Sequence, residues 1–95
     1  MSARPKAVPT VQVCDDRVIV TEWRFAPGAE TGWHRHEHDY VVVPMTDGPL
    51  LLETPDGERS AQLVAGHAYA RRAGVEHNVI NAGDREIVFI ETEIR

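Results

Sequence analysis

Residues 32–44 read GWHRHEHDYVVVP. Three of the chain's five histidines stand here at alternate positions, 34, 36 and 38, and an apolar run follows at once. In an extended strand, side chains at i and i+2 point to the same face, about 6.6 Å apart along the chain. His34 and His36 therefore project into one space, with His38 and Tyr40 on the same parity. Two imidazoles so placed can hold one metal ion, given further ligands from elsewhere. His77 opens a second strand-like run, HNVIN, and a neighbouring strand would bring it opposite the pair.

Working outward, the same texture continues along the chain. VQV (11–13), VIVTEWRF (18–25), DYVVVPM (39–45), PLLLET (49–54), RSAQLV (59–64), HNVIN (77–81) and EIVFIETEI (86–94) are rich in Val, Ile, Thr and aromatic residues. Turn signals divide them, among them Asp56-Gly57, a strong hairpin dipeptide. Many short strands at this spacing predict an all-β sandwich or barrel. SAQLVAGHAYARRAG (60–74) is alanine-rich and tempts a helical reading. Gly66 sits in its middle, so two strands joined by a turn are expected there instead.

The bulk properties set outer limits. Ninety-five residues make one domain, divided here into a loose arm over 1–9, which carries two prolines, and a barrel over 10–95. A domain this short buries only about two-thirds of its unfolded surface, so dimerisation or a bound metal would help it. The net charge of −5 and the lack of a Lys/Arg cluster argue against nucleic acid as a partner. No apolar stretch approaches the roughly 20 residues needed to cross a bilayer, which argues against a membrane. The first ten residues lack the apolar core of a secretory signal, and Cys14 is alone. A cytoplasmic protein with a buried, inert Cys14 thiol is expected. Trp23 and Phe25 alternate with Glu22 and Arg24, predicting core aromatics against a paired polar face. Trp33 points away from His34, and His67 is read as a strand-edge residue outside the ligand set. Glu91 and Glu93 alternate on the last strand; a solvated pair is expected, with a general base near the metal as the alternative should their face be the cavity. Arg71 and Arg72 either greet an anionic substrate at the barrel mouth or pair with acidic residues.

The histidine tract and the stretch around His77 resemble the two motifs of small single-domain cupins. The first motif runs glycine, five residues, His-x-His, three or four residues, glutamate, six residues, glycine; Gly28, His34, His36 and Gly48 match it. The second runs glycine, five residues, Pro-x-Gly, two residues, His, three residues, Asn; Gly66, Gly74, His77 and Asn81 match it. The resemblance implies a double-stranded β-helix, or jelly-roll barrel, with His34, His36 and His77 as metal ligands inside it. Two positions depart from the pattern. Arg72 stands where the second motif has proline, and Tyr40 and Val41 stand where the first has glutamate. The loss of the carboxylate leaves the fourth ligand open. Tyr40 could ligate through its phenol or hydrogen-bond a metal-bound water, or be a buried ring with a satisfied hydroxyl. His38 could swing in as a fourth nitrogen.

Imidazole ligands suit a divalent transition metal, and the candidates are Fe, Zn, Ni, Mn and Cu. The resulting expectation is a metal-dependent cupin enzyme of dioxygenase, isomerase or hydrolase type. It would act on a small polar or anionic metabolite, with Tyr40 at the reacting centre. The alternative is a non-catalytic module that binds or senses a small ligand. Small cupins commonly pair through their N-terminal strands, so the resemblance also implies a homodimer, with residues 8–14 exchanged between subunits.

Overall fold

Strand-forming side chains fill the whole chain, and the computed structural model, which describes residues 3–95, contains no helix among them. Met1 and Ser2, part of the arm expected over 1–9, lie outside the described residues. Nine strands follow one another: β1 (Val8–Cys14), β2 (Val18–Phe25), β3 (His34–Arg35), β4 (Asp39–Pro44), β5 (Gly48–Thr54), β6 (Gly57–Leu63), β7 (Tyr69–Arg71), β8 (Glu76–Asn81) and β9 (Ile87–Ile94). They form two sheets, of order β1-β2-β9-β4-β7 and β3-β8-β5-β6. All pairings between these strands are antiparallel. The alanine-rich stretch 60–74 does split into two strands, β6 and β7, which go to different sheets.

The core lies between the sheets. Phe25, Tyr40, Val42, Ile87 and Phe89 come from the five-stranded sheet, and Leu50, Leu63 and Val79 from the four-stranded one. Phe25 is fully buried and its ring centroid lies 5.3 Å from that of Phe89. Trp23 leans on Phe25 at 6.2 Å, while Arg24 on the opposite face donates to Glu22 and Glu86. The alternation read in TEWRF is thus realised: period-two burial puts the aromatics inside and the charges outside. Gly48 shows why its motif position admits no side chain. A Cβ there would come within 2.7 Å of Ile87 Cδ1, a buried atom with no room to move.

Two features lie outside the core. β1 is an edge strand, paired only with β2, and all seven of its residues are exposed. Cys14 at its end is exposed, contrary to the expected buried thiol. A free cysteine is usually buried by its own apolar character, but an edge strand has no layer covering it. Asn81, by contrast, is 1% exposed. Its amide donates to the carbonyls of Phe25, Ala26 and Arg85, and its Oδ1 accepts from the Gly83 N–H. One side chain thereby ties the ends of β2 and β8 to the β8–β9 turn. Asn81→Ala strands those buried carbonyls, and a loss of about 2–3 kcal/mol in urea unfolding is expected. A loss below about 0.5 kcal/mol, the range of an unremarkable surface change, would show that the turn does not depend on this amide.

Candidate metal centre

β3 is only two residues long, yet it sets the site. His34 pairs across the ladder with His77 and Arg35 with Glu76. The chain then leaves regular strand, but His36 stays fastened: its N–H donates to Val75 O at 2.9 Å, and its carbonyl accepts from Gly74 N at 2.8 Å. Gly74 has φ of 100°, a left-handed conformation that a β-carbon disfavours, and this turn is what reaches back to His36. The three rings converge as a result. His36 Nε2 lies 3.1 Å from both His34 Nε2 and His77 Nε2. His36 is buried, and His34 and His77 are half-buried.

The proton inventory favours a cation at the point of convergence. His34 Nδ1 lies 2.8 Å from the Gly32 carbonyl, which can only accept, so Nδ1 carries the proton and Nε2 presents a lone pair. His36 Nε2 faces two other nitrogens and can share a proton with only one of them. At least one of the two 3.1 Å contacts is therefore left without a hydrogen bond. A metal bound at about 2.1 Å by two such nitrogens at a right or tetrahedral angle separates them by about 3.0–3.4 Å, which matches the observed spacing. The residues present therefore fit a metal held by His34, His36 and His77.

A second layer holds these ligands. Asn78 is buried with its Oδ1 accepting from Gly32 N at 3.0 Å, while its amide donates to Glu30 and Glu53. Gly32 in turn orients His34, so Asn78, next to His77 in the chain, fixes the tautomer of a residue on another strand. Nothing in the sequence pattern marks Asn78, because its role depends on where the loop at 31–32 lands. Tyr40 lies against His36 with ring centroids 3.9 Å apart and planes 18° from parallel. His38 sits in the bend between β3 and β4 and is not part of the histidine group. The parity argument that aligned it with His34 and His36 assumes an unbroken strand, and β3 stops at Arg35.

Beside the histidines lies a cavity of about 640 Å³, within the range of small-molecule sites. Its walls are Trp23, Val42, Leu50, Leu52 and Phe89, with His34, His77, Tyr40, Tyr69, Arg71 and Glu91 among the polar groups. Arg71 stacks on the Tyr69 ring at 4.7 Å, and Arg72 is exposed. The β4–β9 register sets Glu93 opposite Tyr40 and Glu91 opposite Val42, so the inward face of β4 continues onto these glutamates. The solvated pair expected from sequence is therefore corrected: both are partly buried, and Glu91 lines the cavity. Burial, then the nearby Glu93, raises the Glu91 carboxyl to about 7, with the Trp23 indole N–H opposing. Burial also lowers His36 and His77 to about 4, helped by the neighbouring imidazoles.

A nine-stranded double-stranded β-helix with three histidines converging at its inner wall matches a known family. A family model described as cupin domain covers residues 21–93. The chain belongs to the cupin family. It is 76% identical over 95 residues, the full length of both chains, to the beta-alanine degradation protein BauB of Pseudomonas aeruginosa. A cupin domain from Bordetella pertussis superposes with a TM-score of 0.98 at 64% identity, covering 100% of this chain and 99% of that one. A double-stranded β-helix protein from Klebsiella pneumoniae reaches a TM-score of 0.79 at 20% identity, over 99% of this chain and 81% of that one, and so shares the fold.

The shifted groups of this cupin make opposite contributions to stability. In the unfolded chain His36 and His77 return to about 6.5, so between pH 6.5 and 4 unfolding takes up protons and acid destabilises the fold. Glu91 returns to about 4.5, so between pH 4.5 and 7 the folded state holds a proton the unfolded state releases, and rising pH destabilises. Glu91→Gln removes the second effect. Metal-free E91Q is expected to lose melting temperature more steeply than the wild type as pH falls from 6.5 to 4.5. Parallel curves for the two proteins would contradict this assignment.

Proposed function

We propose that this cupin is a metal-dependent enzyme acting on a small polar or anionic metabolite. The observation that carries the reading is the convergence of three imidazole Nε2 atoms, the outer two each 3.1 Å from the central one, at the edge of a cavity of about 640 Å³. Three protein ligands leave positions open for water or substrate, which a purely structural metal site does not. The bound metal, an Fe, Zn, Ni, Mn or Cu ion, would polarise a substrate oxygen or activate a small ligand. The chain itself does the rest. Apolar walls exclude water, and Arg71 at the cavity lining favours an anionic group. Tyr40 stays a phenol that packs His36 and offers a hydrogen bond to the ligand, and His38 remains outside the metal shell. The name of the Pseudomonas relative supports a place in the breakdown of small amino compounds such as β-alanine.

Metal content by elemental analysis of untagged protein is the direct test. About one metal per chain is expected, lost in the His34→Ala/His36→Ala double variant and retained in Tyr40→Phe. Equal content in the double variant would sink the metal reading, and loss in Tyr40→Phe would make the phenol a ligand. Metal binding without turnover of any β-alanine-derived substrate would favour a ligand-sensing module instead.

We also infer a homodimer through β1. Val8, Val11 and Val13 are 42–59% exposed on an edge strand whose outer hydrogen-bonding groups lack a neighbour in the sheet. Light scattering should return twice the chain's mass; a monomer at micromolar concentration would refute pairing through β1.

A further inference from the structure

Glu91 is a carboxyl in a place where carboxyls are costly. It sits on the inner face of β9, partly buried, on the wall of the cavity that also exposes His34 and His77. Among the described residues no Lys or Arg forms a salt bridge with it. Arg71, which lines the same cavity, lies over the Tyr69 ring. The nearest charged group on its own strand is Glu93, a like charge. A carboxylate taken out of water without a cation is strongly disfavoured. The same wall is short of a positive charge for a second reason, since at least one of the close imidazole contacts has no proton to bridge it.

The two shortages are adjacent. Ligand atoms of His36, Glu91 and Glu93 all lie within 4.8 Å of one another, and His36 is the central member of the histidine group. The antiparallel register puts position 91 directly across from Val42 and position 93 across from Tyr40. Facing residues of such a pair have their Cβ atoms about 4.5–5.5 Å apart and share a face. Carboxylates at 91 and 93 therefore stand on the same inner face as a carboxylate at position 40 of β4 would, Glu93 opposite it and Glu91 one pair further along. Tyr40 presents a phenol ring stacked on His36 in place of a carboxylate. Val41 cannot supply one, because its Cβ points to the other face.

We propose that Glu91 is the acidic counterpart of the three histidines, its carboxylate facing the ion they hold and filling from β9 the role left open at positions 40 and 41. The proposal rests on the metal reading given above. Glu93, which does not line the cavity, is a bystander.

The test is Co2+ binding to metal-free protein, followed by calorimetry and by the visible absorption of the bound ion. Four chains are compared: wild type, E91Q, E93Q and the double variant Y40E/E91Q. Circular dichroism of each variant checks that the barrel is intact. Glu91→Gln should weaken Co2+ binding about 10–100-fold and change the absorption band, the loss expected when an oriented carboxylate leaves a metal site. Glu93→Gln should weaken it less than threefold. Y40E/E91Q, which returns a carboxylate to β4, should regain at least half of the lost binding energy. Wild-type affinity and spectrum in E91Q would overturn the proposal while leaving the histidine site standing. An equal or larger loss in E93Q would overturn it in favour of that residue. A wild type that binds no Co2+ overturns the metal reading itself, and this inference with it.

Discussion

The pairing of β3 with β8 is the constraint on which the rest of the site depends. A two-residue strand has no stability of its own. It is held by the His34–His77 and Arg35–Glu76 register, by the reciprocal backbone bonds of His36 with Gly74 and Val75, and by Asn78 gripping Gly32. The large sheet plays a different part. It carries the aromatic core that closes the cavity, and it presents Tyr40, Glu91 and Glu93 to the histidines as one inward surface.

That surface is electrostatically unbalanced by itself. Three imidazoles, two of them held neutral by burial, meet two carboxyls of which one is pushed up to about 7. Elsewhere the chain satisfies its buried polar groups with care, as the four hydrogen bonds of Asn81 show. The unpaired groups are concentrated at one end of the cavity. Unpaired polar groups cost stability at this end of the cavity, while packing and satisfied hydrogen bonds supply it elsewhere.

Much of this was legible in the residues. Period-two patterns located the strands because each one is half-buried, and Gly66 separated β6 from β7 because a helix tolerates glycine poorly. His34, His36 and His77 were legible because alternation and motif spacing act within short stretches. His38 was misaligned because parity holds only while a strand continues, and β3 ends at Arg35. Cys14 was misplaced because residue type says nothing about whether a strand lies at an edge. Glu91 and Asn78 were not legible for a shared reason. In EIVFIETEI either face can be the inner one, and only the register with β4 decides. The grip of Asn78 on Gly32 spans 46 residues and belongs to the tertiary fold.

A β-barrel wall has two dimensions, and a sequence motif describes only one of them. Along a strand, positions on one face recur every second residue; across the ladder, the next strand offers another position about 5 Å away on the same face. A ligand can thus change strands without any change in fold, provided the register is kept. Here position 40 is occupied by a ring that stacks on His36, which a carboxylate could not do, while the acidic groups stand opposite on β9. The exchange keeps a negative charge beside the histidines and adds an aromatic support beneath one of them. Glu91 and the histidines thus face one cavity from two sheets, and the β4–β9 register, not the local sequence, sets which groups meet there.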